Sequence, residues 1–168
     1  MSDLHCPARV FLARPGEAED ETGPPTAAGG GLTATGRDQA RALAERVRDE
    51  NVARVWSSPL PRAVQTAEIA AAVLGVPVVV RDGLRECDAG IPAGERIADV
   101  AARVRGVLEE VADTHRGEAV LVVSHGGAFA AGLPDLVGAP RTSGHDLTPP
   151  PGGTLALEAD EDGWRRLP

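Results

Sequence analysis

The chain has 168 residues, 42% of them hydrophobic, and a formal net charge of −8. That length suits one domain, and the apolar fraction excludes a wholly disordered chain. The negative charge argues against a general binder of nucleic acid or anionic membrane.

The first residues, Met1 to His5, lack the basic-then-apolar pattern of a signal peptide. Val10, Phe11, Leu12 and Ala13 form a short apolar run that stops at Arg14-Pro15-Gly16, a natural strand end. Residues 17–31 are acidic and then rich in Gly and Pro, which predicts a long mobile loop. Thr33 is the expected N-cap of a helix carrying Ala40, Leu43, Ala44 and Val47 on one face. A strand over 52–56 is followed by a second helix marked by Leu60, Ala63, Ala67, Ala70 and Leu74. The stretch 69–80 is the longest without polar side chains, yet Gly75 and Pro77 break it, and it falls short of the ~20 apolar residues of a membrane span. Residues 76–80 read as a third strand, placed by Pro77 at a sheet edge or at its own start.

A loop over 81–94 precedes the clearest amphipathic helix, with Ile97, Val100, Ala101, Val104, Val107, Leu108 and Val111 on one stripe. Residues 119–123 form a continuous apolar strand, as in a parallel sheet buried on both faces. A short helix over 128–137 follows Ser124-His125-Gly126-Gly127, and strands 154–158 and 164–167 are expected to pair as a hairpin across 160–163. Alternating strands and helices predict one α/β domain spanning 1–168, with a largely parallel sheet between helix layers.

Ligands bind such sheets at the carboxyl ends of the strands. Arg14, Arg62, Glu86 and His125 all fall at or just after such ends. Two arginines and a histidine suit a phosphoryl group, whose transition state spreads negative charge over its oxygens. Glu86 could move a proton to or from a leaving oxygen. All 17 basic residues are Arg, a compositional bias, although Arg is also the better residue for gripping an oxyanion with two parallel hydrogen bonds. The acidic residues Glu17, Glu19, Asp20 and Glu21 would disfavour polyanions if they lie at the mouth of such a site.

These residues resemble the histidine phosphatase superfamily, whose fold is phosphoglycerate mutase-like. The family's Arg-His-Gly triplet corresponds to Arg14-Pro15-Gly16, its Leu-Thr, Gly and Gln-Ala pattern to Leu32-Thr33, Gly36 and Gln39-Ala40, and its Ser-Ser-Pro-Leu stretch to Ser57-Ser58-Pro59-Leu60 with Arg62-Ala63 and Gln65-Thr66-Ala67. Leu84-Arg85-Glu86 and Ser124-His125-Gly126-Gly127 complete the likeness, in order and over nearly the whole chain, and the short length is similar to the compact branch. The resemblance implies a three-layer αβα sandwich with a mostly parallel central sheet. It implies substrate-binding roles for Arg14, Arg62 and His125 and catalytic roles for Glu86 and His125.

In that family the histidine of the triplet is the nucleophile, and here Pro15 takes its place. Ala18 and Glu21 also stand where many members carry Thr and Asn. Proline offers neither a nucleophilic side chain nor a backbone N–H. The expectation is therefore a cytoplasmic protein that binds a phosphorylated or otherwise anionic small molecule, with phosphomonoesterase activity absent or weak. Alternatives are a lyase or isomerase reusing the same residues, or a phosphatase with Cys87 or His125 as substitute nucleophile. No metal or other cofactor is expected, since His5, His115 and His145 show no metal-ligand spacing and two cysteines, Cys6 and Cys87, form no cluster or disulfide framework.

Overall fold

The computed structural model describes residues 6–19, 29–87 and 94–168. The N-terminal segment, the centre of the 17–31 loop with Asp20 and Glu21, and residues 88–93 of the loop expected over 81–94 lie outside the described residues.

Six strands form one sheet in the order β3-β2-β4-β1-β5-β6. They are β1 (Ala8–Ala13), β2 (Val52–Ser57), β3 (Val78–Val80), β4 (Ala119–Val123), β5 (Thr154–Asp160) and β6 (Gly163–Arg166). The pairs β3–β2, β2–β4 and β4–β1 are parallel, whereas β1–β5 and β5–β6 are antiparallel, so the expected hairpin closes one edge. β3 forms the opposite edge and begins just after Pro77, whose missing N–H cannot join a ladder.

Among the described residues four α-helices connect the strands: α1 (Ala34–Arg46), α2 (Pro61–Leu74), α3 (Ile97–Thr114) and α4 (Gly126–Val137). Thr33 caps α1 as expected, its hydroxyl accepting from the Gly36 N–H. Successive residues of a strand point to opposite faces, and the core divides accordingly. Phe11 and Ala13 pack with Leu43 and Ala44 of α1 and with Ala63 and Ala67 of α2. Val10 and Leu12 pack with Val104 and Leu108 of α3 and with Phe129 and Leu133 of α4. The result is the expected three-layer αβα arrangement around a mixed, mainly parallel sheet. No helix among the described residues is long and apolar enough to cross a membrane.

The chain runs outward from β1 to β2 and β3 with α1 and α2 on one face, then returns through α3 to β4, which inserts between β2 and β1. The order of strands reverses there, which is where open α/β sheets leave a crevice for ligands. The 17–31 loop, expected to be mobile, is clamped at both ends: Ala18 bridges Leu32, Glu19 N–H donates to Gly31 O at 2.8 Å, and Thr33 N–H donates to Glu17 O at 3.0 Å.

His115, which matched no motif, has a structural place. Trp56 Nε1–H donates to His115 Nε2 at 3.1 Å, and His115 Nδ1 lies 2.7 Å from Glu118 Oε2. An indole N–H can only donate, so His115 Nε2 must accept and its proton sits on Nδ1, facing the carboxylate. Arg81 covers the outer face of the Trp56 ring at 4.9 Å and pairs with Glu110.

Candidate functional site

Register places the site. Ala13 of β1 and Ser57 of β2 both pair with Val123 of β4, so three parallel strands end level with one another. The residues that follow, Arg14, Ser58 and Ser124-His125, therefore lie side by side. Arg62 reaches the same place from the first turn of α2, where Pro61 opens the helix without needing its missing N–H. A cleft of about 390 Å³ opens there, and Arg14, Pro15, Arg62, Glu86 and His125 all line it. The four residues expected to form the site are thus brought together.

The two arginines are held in different ways. Arg62 is tied through its backbone: its carbonyl accepts from Thr66 Oγ1 at 2.7 Å, and the same hydroxyl accepts from Gly16 N–H at 3.0 Å. That one threonine fastens the segment after β1 to the start of α2. Among the described residues the Arg62 guanidinium has no carboxylate partner, and its buried Nε has no hydrogen-bond acceptor. Arg14 likewise makes no side-chain hydrogen bond or ion pair among the described residues and lies against Gly126. Unpaired donors of this kind are costly unless something fills their bonds.

His125 is 5% exposed and shares a 2.7 Å hydrogen bond between its Nε2 and Ser58 Oγ. Burial pushes its imidazole down to about 4; Glu86 opposes that shift, and Arg62, Arg103 and Arg14 reinforce it. At neutral pH the ring is therefore uncharged, and the fixed positive charge of the site rests on the two arginines.

Glu86 was expected to transfer a proton. In the structure its carboxylate accepts from the backbone N–H groups of Cys87 at 2.9 Å, Ala128 at 2.8 Å and Gly127 at 3.3 Å. It therefore caps the N-terminus of α4 while facing the cleft, and both charge and donors there favour an anion. Gly127 must be glycine for this: a Cβ would sit 2.6 Å from Glu86 Oε1. Arg103 holds the segment from below, donating to the carbonyls of Gly83 at 2.9 Å, Arg85 at 2.7 Å and Glu86 at 3.2 Å while pairing with Glu95.

Ala18, Gln39, Pro151 and Gly152, given no role by the sequence, also line the cleft, as does Glu17, one of the acidic residues considered for its mouth. Gln39 Oε1 accepts from the Glu17 N–H at 2.7 Å, and Glu17 Oε1 accepts from Thr33 Oγ1 at 2.8 Å. Cys87, the suggested substitute nucleophile, does not line the cleft; it faces a neighbouring cavity with Ile97, Ala130 and Ala131. Among the described residues no group of three or more His, Cys, Asp or Glu side chains could hold a metal ion.

Residues 10–91 and 88–167 match the histidine phosphatase superfamily, branch 1. The chain belongs to that superfamily. It is 30% identical over 169 residues to the probable phosphoglycerate mutase GpmB of Photorhabdus laumondii, which covers 79% of this chain and 76% of that protein. It is 34% identical over 125 residues to the uncharacterized phosphatase PhoE of Bacillus subtilis, covering 64% of this chain and 65% of PhoE. Among solved structures it is similar to a mycobacterial glucosyl-3-phosphoglycerate phosphatase complexed with VO3. There the TM-score is 0.78 and the identity 25%, over 94% of this chain and 96% of that one. Phosphatases and mutases of the histidine phosphatase superfamily are thus its relatives, and its fold is theirs.

Proposed function

We propose that this member of the superfamily binds the phosphoryl group, or another tetrahedral oxyanion, of a small molecule between Arg14, Arg62 and His125, without a covalent phosphoenzyme step. The observation that carries the reading is the pair of guanidiniums on one cleft with no carboxylate partner among the described residues, Arg62 Nε being buried and without an acceptor. An oxyanion supplies the missing acceptors, and Arg presents donors in the fork geometry that such groups need. A neutral His125 offers one further donor, its Nδ1–H, when the Ser58 hydroxyl donates to Nε2.

Loss of the covalent step rests on Pro15. It lines the cleft beside Arg14 and has no atom able to attack phosphorus. The remaining donors can still stabilise charge, so slow hydrolysis by water is compatible with this reading. The thiol of Cys87 gives no support to a substitute nucleophile, because Cys87 lines a neighbouring cavity and not the cleft.

The test is thermal unfolding in phosphate, sulfate and vanadate, followed by turnover of a generic aryl phosphate. The melting temperature is expected to rise with the logarithm of anion concentration once the sites are half filled, and Arg62→Ala is expected to abolish the rise. Pro15→His is expected to raise hydrolysis by about 10²-fold or more, the order a single catalytic group supplies, and His125→Ala is expected to cancel that gain. Equal anion shifts in Arg62→Ala would refute the binding site. Brisk turnover by the unaltered protein would refute the missing step.

A further inference from the structure

Resting on that reading of the cleft, we propose that Ser58 is a positioning residue for the oxyanion site. Its hydroxyl donates to Nε2 of His125, which puts the imidazole proton on Nδ1 and turns a standing N–H donor towards the bound anion.

The hydrogen bonds around Ser58 leave its proton one destination. Ser58 is fully buried, so bulk water does not reach its hydroxyl. Its place is fixed by the backbone: Ser58 N–H donates to Val123 O at 2.9 Å, extending the pairing of β2 with β4, and Leu60 N–H donates to Ser58 Oγ at 3.2 Å. A backbone N–H can only donate, so Oγ is the acceptor in that contact. The remaining partner of Oγ among the described residues is His125 Nε2, at 2.7 Å. If Nε2 carried the ring proton, Oγ would accept twice and its own proton would be buried without an acceptor, which is costly. With the ring proton on Nδ1, every group is served.

Nδ1 is the ring atom that meets the ligand. It has no hydrogen-bond partner among the described residues, yet it is not one of the buried nitrogens left without a partner. It therefore opens to the cleft that His125 lines together with Arg14 and Arg62. Without the Ser58 hydroxyl the ring is free to hold its proton on Nε2, and Nδ1 then turns a lone pair to the anion. Ser58 thus decides whether His125 attracts or repels an oxyanion, although Ser58 does not itself line the cleft.

Nitrogen NMR of protein labelled at histidine reads the tautomer directly, the His125 ring being assigned by its loss in His125→Ala. The Nδ1–H form is expected at neutral pH, and the Nε2–H form in the unaltered protein would overturn the proposal however the variants behave. In Ser58→Ala the Nε2–H form is expected to appear. Titration calorimetry should then show sulfate binding about tenfold more weakly, as loss of one hydrogen bond to a charged group gives. Ser58→Thr keeps the hydroxyl and is expected to restore both readouts. If Ser58 acts through the ring, Ser58→Ala weakens sulfate binding no further in a His125→Ala background. A full additional loss there, or unchanged sulfate affinity in Ser58→Ala alone, would overturn the proposal. If the unaltered protein shows the Nδ1–H form yet binds no sulfate, the oxyanion site is refuted, and with it the part assigned to Ser58.

Discussion

Among the described residues, His125 departs most from its free-state chemistry. Desolvation is the main cause of its depressed affinity for protons, and Arg62, Arg103 and Arg14 add to it against the opposing Glu86. In the unfolded chain a histidine titrates near 6.5, in the fold near 4, so the unfolded state takes up the proton first as pH falls. The stability held by the neutral ring is whole above about pH 6.5 and is lost progressively down to about 4. By linkage the loss is about 3 kcal/mol. Urea unfolding at pH 7 and pH 4 should show this loss, and His125→Gln should remove that part of it; an identical pH dependence in the variant would show that His125 does not carry it. An anion seated against the ring favours its protonated form, so sulfate, whose own charge is constant over this range, should bind more tightly at pH 5 than at pH 7. Arg14, Arg62, Glu86 and His125 were legible in the sequence because each follows a strand or opens a helix, and parallel register does the rest. Gln39, Thr66 and Arg103 were not, since their parts depend on hydrogen bonds across the fold. Arg103 left one trace: it lies within the apolar stripe of α3, between Val100 and Val107.

Among the elements, α4 depends most on the rest of the chain. It opens on Gly126 and Gly127, poor helix formers, and His125 provides no side-chain cap. The cap comes instead from Glu86, 41 residues earlier than Gly127. Glu86→Ala leaves the Gly127 and Ala128 N–H groups without that acceptor and should cost about 1–2 kcal/mol of stability, with Glu86→Gln intermediate. Urea midpoints of the three proteins measure it, and an unchanged midpoint in Glu86→Ala would exclude the capping role. This remote cap also explains why the sequence pattern starts the helix at 128 whereas the structure starts it at Gly126. Pro134 lies inside α4 and cannot donate to the Ala130 carbonyl; Gly144 packs over that carbonyl, where a Cβ would come within 2.3 Å. By contrast α1 and α3 were legible nearly residue for residue, because the Thr33 cap and the stripe from Val100 to Val111 are local signals. The short turns of helix at Asp82–Leu84 and Arg141–Ser143 carry no such periodicity and went unread.

At the scale of the molecule, one sheet separates two apolar cores, and alternate residues of β1 and β4 belong to each. Neither core can lose its packing without exposing one face of strands that the other core still needs, so the two should unfold together. The tryptophans allow a direct check, because Trp56 and Trp164 both lie on the α3 and α4 side. Leu43 lies on the opposite side, beneath α1, and is almost wholly buried. Leu43→Ala removes buried methyl groups and leaves a cavity, at a cost of about 2–4 kcal/mol. If the sheet couples the two cores, tryptophan fluorescence should register that loss in full although neither reporter touches the altered site. Its urea midpoint should then coincide with that from far-ultraviolet circular dichroism, as an all-or-none transition requires. A variant whose dichroism midpoint fell while its fluorescence midpoint stayed at the original value would show two separately folding faces. The cleft, whose Arg62 comes from α2 on one face and whose Glu86 and His125 abut α4 on the other, would then lose its shape before the protein as a whole unfolds.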